Sequence, residues 1–123
     1  MKNNSFLENK AMQISIALNS NDNTISSLIG NISDLFSSPY KRDVIADNDI
    51  VKNLWDVLFA VFLKAHDNEV KFDAISAMGD IYTYQSNIGH ELELTHMKEW
   101  REHHDSNNAS TELIDCVDDI LSM

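Results

Sequence analysis

Residues 50–63 of this 123-residue chain read IVKNLWDVLFAVFL, and Ile50, Val51, Leu54, Trp55, Val57, Leu58, Phe59, Val61, Phe62 and Leu63 spread almost all round a helical projection. A helix that is apolar on one stripe can lie at a surface, whereas one that is apolar on several sides needs neighbours on several sides. This third helix is therefore the expected centre of the core. The uninterrupted apolar run, residues 57–63, is far too short to cross a bilayer.

The rest of the chain supplies the neighbours. Leu7, Ala11, Ile14 and Leu18 fall on one helical stripe, and Ile25, Leu28, Ile29, Ile32, Leu35 and Phe36 form a second. Between them lies NSNDN, whose Asp22 and Asn23, with Thr24, offer caps to the second helix, so the pair reads as an αα-hairpin. The only proline, Pro39, marks a break at about residues 38–48. After the third helix HDNE is a tight turn, and a fourth helix is expected over about residues 69–85 with Val70, Ala74, Ala77, Met78 and Ile81 inward. Asn87 and Gly89 punctuate the next junction, a fifth helix runs to about residue 104, and DSNNAST leads into a sixth carrying Leu113, Cys116, Val117, Ile120 and Leu121. Period-2 alternation is lacking, so the expectation is an all-α single domain, residues 1–123, of about six helices in three hairpins.

Cys116 is the only cysteine, so no internal disulfide and no cysteine-based metal framework can form. After Met1 and Lys2 the sequence NNSFLENKA contains no apolar segment of signal-peptide length, and a cytoplasmic protein without membrane contact is expected.

Internal similarity strengthens the hairpin reading. Residues 18–36 align without gaps on residues 63–81 at an offset of 45, matching Leu with Leu, Asp-Asn with Asp-Asn and Ile25 with Val70. At an offset of 39, residues 75–81 (ISAMGDI) overlay residues 114–120 (IDCVDDI). Such periods belong to stacked helical repeats. About residues 50–86, centred on AVFLKAHDNEVKFDAISAMGDI, resemble a HEAT repeat: an apolar first helix, an Asp-containing turn, Val70 followed by Lys71, and small residues Ala74, Ala77 and Gly79 on the second helix. A turn proline is missing. The resemblance implies a HEAT- or armadillo-like right-handed stack that binds proteins; a compact six-helix bundle is the alternative.

Charge is placed unevenly. Residues 1–66 carry seven acids and six Lys/Arg, whereas residues 67–123 carry thirteen acids and three Lys/Arg, so nearly all of the net −11 lies in the second half. Phosphate backbones are held by clustered Lys and Arg, so direct nucleic-acid binding is disfavoured and a basic protein partner favoured. On the fourth helix Asp73, Ser76, Asp80 and Tyr84 make a polar stripe; on the sixth Glu112, Asp115, Asp118 and Asp119 make another, with no Lys or Arg after Arg101. Like charges at these spacings cost a helix a few tenths of a kcal/mol per pair, so helix stability does not account for them. Second helices of stacked hairpins share one surface. The expected partner-binding set is Asp73, Asp80, Tyr84, Glu112, Asp115, Asp118 and Asp119, with Tyr84 as an aromatic anchor.

His96, Glu99 and His103 fall within two turns of a helix but lack an HExxH or Cys/His framework, and packing of the two histidines at the core boundary is favoured over a metal site. No glycine-rich phosphate loop or GxSxG elbow is present. Neither catalysis nor a cofactor is expected. In profile the chain resembles the immunity proteins of bacterial toxin systems, including those guarding against contact-dependent inhibition toxins. That resemblance implies a dedicated acidic inhibitor that covers the active site of a basic nuclease toxin, and a monomer or weak dimer is expected. A phage-encoded anti-defence or nucleic-acid-mimic inhibitor of a host protein, and a small metal-dependent regulator or enzyme built on His96, Glu99 and His103, are the alternatives.

Overall fold

The computed structural model describes residues 3–20, 24–37, 46–90 and 92–123, and these are all-helical with turns and no strand. Six helices follow in order: α1 (Asn4–Ser20), α2 (Ile25–Ser37), α3 (Asn48–Lys64), α4 (Asn68–Asn87), α5 (Thr95–Glu102) and α6 (Thr111–Leu121). The caps expected from Asp22 and Asn23, and the break at residues 38–48 as far as residue 45, lie outside the described residues.

Helices α1 and α3 form one row, which α5 continues through side-chain contact with α3, and α2, α4 and α6 form a second. Each helix packs on its hairpin partner, α1 also on α3, and α4 on both α2 and α6. Among the described residues α1 and α2 pack against neither α5 nor α6, so the hairpins form an open ladder and do not close into a ring. Both internal sequence matches superpose one second-row helix on another.

The centre of the core is not where the apolar run of α3 points. Helix α4 is the element with packed neighbours on three sides, α2, α3 and α6. It buries Ala74, Ile75, Ala77, Met78, Ile81, Tyr82, Tyr84 and Gln85. Small residues explain the difference: Ala74, Ala77 and Gly79 let three helices approach, and the nearest atom to a Cβ built on Gly79 is Cγ1 of Ile120 at 3.7 Å. Helix α3 buries Val51, Leu54, Trp55, Leu58, Val61 and Phe62 but leaves Leu63 47% exposed. Truncating a fully buried side chain such as Met78 or Ile81 to Ala costs about 2–5 kcal/mol.

The α3–α4 turn is fixed by polar bonds on both sides. The Asp67 side chain accepts from the Glu69 N–H at 2.8 Å, an N-cap of about 1 kcal/mol. From the next turn of α4, Lys71 Nζ donates to the Phe62 carbonyl at 2.6 Å and lies 5.7 Å from the Phe62 ring centroid. It thereby satisfies carbonyls left open at the C-terminus of α3. Burial lowers the Lys71 pKa from the ordinary lysine value. At the far end, Asn4 and Asp47 exchange two bonds of 2.9 Å that tie the start of α1 to the start of α3.

Helix α5 is short and is held by rings. Phe62 and Trp100 meet edge to face at 4.8 Å, and His104 stacks on Trp100 at 4.3 Å. Leaving α4, the chain reverses through Gly89, whose φ of +83° suits glycine.

Two glycine substitutions therefore have opposite expected signs in chemical denaturation. Gly79→Ala places its methyl in ordinary contact with Ile120 and removes a helix-interior glycine, raising stability by about 0.5–1 kcal/mol. Gly89→Ala forces a β-carbon into the left-handed region and lowers it by about 1–2 kcal/mol.

Candidate functional site

The stacking brings some of the expected partner-binding residues together and takes others away. Asp73 on α4 and Glu112 on α6 line one cleft of about 350 Å³, with Glu69, Phe72, Ser110 and Leu113. The first turns of α4 and α6 both reach this cleft, with Phe72 on its wall. Three carboxylates, two of them in first turns where helix dipoles favour negative charge, share this opening.

Asp115 and Asp119 are exposed on the outer side of α6. The half-buried thiol of Cys116 registers their field: burial pushes its pKa up, and Asp119, Asp115 and Glu112, in that order, push it further. One residue thus senses three of the expected carboxylates.

Three placements differ from expectation. Tyr84 is no surface anchor; it is 7% exposed and its ring packs edge to face on Phe36 at 5.4 Å. Helix α2 crosses the C-terminal half of α4 and covers that part of the stripe. Asp80 is half-buried under the same crossing and accepts a 2.7 Å bond from Ser33 Oγ, so it joins α2 to α4. Asp118 turns toward α5, where Arg101 Nε donates to it at 2.8 Å. That bond is the main influence raising the Arg101 pKa, with the charges of Asp118, Asp105 and Asp115 adding. Arg101 also donates to the His104 carbonyl at 2.8 Å, closing the end of α5.

The histidines are not packed at the core boundary. His96, with 84% of its side chain exposed, lies 3.8 Å from the Glu99 carboxylate, while the His103 ring nitrogen engages the Glu99 backbone carbonyl at 2.8 Å. His96 also lines a cleft of about 140 Å³ with Lys52, Asp56 and Glu93. Among the described residues no group of three or more His, Cys, Asp and Glu could hold a metal ion.

Sequence reasoning missed Glu69, Phe72 and Leu113 as parts of the cleft. The signal was present in KFDA, where a large apolar residue sits directly beside the polar stripe that Asp73 begins.

The wider pattern is a division of charge between the rows. In the described residues of the six helices, Lys10, Lys52, Lys64, Lys98 and Arg101 belong to α1, α3 and α5, while the second row has Lys71 alone. The second row carries Asp34, Glu69, Asp73, Asp80, Glu112, Asp115, Asp118 and Asp119. Its single cation is engaged at the end of α3.

No protein-family model, curated protein or solved structure matches the chain. Among the described residues no helix is long and apolar enough to cross a membrane.

The gathering of carboxylates around Cys116 predicts a late thiol titration. Followed by mass spectrometry, alkylation of this single cysteine rises at a higher pH in the folded protein than in the denatured chain. Asp115→Asn with Asp119→Asn moves the profile part of the way back, the remainder being due to burial. Coincident folded and wild-type denatured profiles would refute the clustering.

Proposed function

We propose that this chain is an immunity-type inhibitor, a binding protein that covers the substrate-holding surface of a basic nuclease toxin and contributes no chemistry of its own. One observation carries the reading: the α2, α4, α6 row is negative along its length and its single lysine is tied to backbone carbonyls. A nuclease must present Lys and Arg where it grips phosphates, and a surface with carboxylates at matching spacing blocks that grip. The open ladder supports a HEAT-like arrangement in which second helices share the docking surface.

In this mechanism the roles divide by exposure. Asp115 and Asp119, free of the core, steer the partner and set the salt dependence of association. Asp73 and Glu112, in the cleft, take the cations that lose water on docking. Tyr84, Asp80 and Asp118 hold the surface in shape through Phe36, Ser33 and Arg101.

The test is co-expression of the protein with its neighbouring reading frames, followed by affinity capture and a growth-rescue assay. A stoichiometric basic nuclease domain is expected, with Asp115→Lys plus Asp119→Lys slowing association about tenfold or more at low salt and less at high salt. Asp56→Lys on the first row leaves association unchanged. Capture of a host protein with no toxin supports the anti-defence reading instead, and equal sensitivity to all three reversals shows that net charge alone is at work.

A further inference from the structure

The α3–α4 turn and the loop of residues 103–110 lie side by side, and a groove runs between them. Its first part is the carboxylate-lined cleft with Phe72 and Leu113 on its wall. Its second part, about 230 Å³, is walled by Phe62, Leu63, Trp100 and His104. Asn68, Ser110 and Leu113 line both parts, so the two adjoin at these residues.

Three properties separate it from an incidental crevice. Phe72 and Leu63 remain 40% and 47% exposed on its walls, so the groove offers apolar surface that the core does not bury. Both rims are fixed before any partner arrives: Asp67 caps α4, and in the facing loop Asn108 Oδ1 accepts from the Asp105 N–H at 2.8 Å while its Nδ2 donates to the His103 carbonyl at 3.1 Å. Ordered walls spare a partner the cost of arranging them. The groove also changes character along its length, from Glu69, Asp73 and Glu112 at one end to aromatic rings at the other. Lys71, the cation on its lining, is held by the Phe62 and Leu63 carbonyls.

We propose that this groove seats a segment of the basic partner in which an Arg or Lys side chain lies beside an aromatic or branched aliphatic one. The cation enters between Asp73 and Glu112, and the apolar side chain lies over Leu113 toward Trp100. The proposal rests on the reading of the chain as a binder of a basic protein and adds the determinant of specificity: outer acids attract any cation, whereas the groove requires an apolar neighbour in register. A nucleic-acid strand is excluded, because its phosphates would meet three carboxylates.

The probes are short Gly-Ser peptides carrying Arg-Trp, Arg-Gly or Glu-Trp, titrated into the isotope-labelled full chain and followed by amide NMR shifts. Only Arg-Trp is expected to move Asn68, Phe72, Ser110 and Leu113, and Phe72→Ala and Asp73→Asn each weaken that response about tenfold. The partly exposed Phe72 can be truncated without opening the core, and the variant's own spectrum reports its folding. Equal response to Arg-Gly, shifts centred elsewhere, or no shift overturns the proposal. If rescue from a toxin fails while Arg-Trp still occupies the groove, the immunity reading falls and the groove stands. If rescue depends on Asp115 and Asp119 while Phe72→Ala changes neither rescue nor peptide response, the groove falls and the immunity reading stands.

Discussion

The structure depends on the close approach of three helices to α4. Ala74, Ala77 and Gly79 keep that helix narrow, and Ile75, Met78 and Ile81 fill the space around it with at most 1% of their surface exposed. A narrow helix with small residues on several faces can be enclosed by α2, α3 and α6, whereas a helix of large residues would hold its neighbours apart. Everything on the second-row surface follows from this enclosure. The first turns of α4 and α6 share a cleft with Phe72, Phe36 of α2 covers Tyr84, and Asp115 and Asp119 stay exposed on α6.

Packing alone does not hold the third hairpin. Helix α5 has eight residues, short enough that it would be marginal in isolation, and it buries only Met97. Its position comes from the ring sequence Phe62, Trp100 and His104, joined at one end by Lys71 and at the other by Arg101 between the His104 carbonyl and Asp118. These contacts also build one wall of the groove. A single set of interactions therefore docks the last hairpin and shapes the surface beside it.

Six helices, their pairing into hairpins and the inward faces of α2, α4 and α6 were legible from apolar spacing, because a helix buries one side of itself whatever its neighbour is. Which helix is central was not, since the large apolar side chains of α3 give a stronger pattern than the alanines and glycine of α4 that create the centre. The misplacement of Tyr84 has a related cause. Spacing assigns a residue to a face of its own helix, but not the point along the axis at which another helix crosses, and Phe36 reaches Tyr84 from a helix more than forty residues earlier. Asp118 is the electrostatic version of the same limit, paired with Arg101 across 17 residues and an intervening loop. Asp73 and Glu112 come together in one cleft because each lies near the start of its helix, and the starts of α4 and α6 adjoin.

The one-sign row is costly only locally, and the fold shows how it is sustained. Repulsion among Glu112, Asp115 and Asp119 amounts to a few tenths of a kcal/mol per pair in an exposed helix, small against the burial of Leu113, Val117 and Ile120 beneath them. Two nearby cations could have neutralised the row, yet both serve backbone ends: Lys71 closes α3 and Arg101 closes α5. Among the described residues only Asp118 is drawn into such a bond, and it lies where α6 meets Arg101 of α5. Among the described residues these cations thus serve the ends of helices, and the second-row carboxylates other than Asp118 stay without a cation beside them on the surface that the stacked hairpins present.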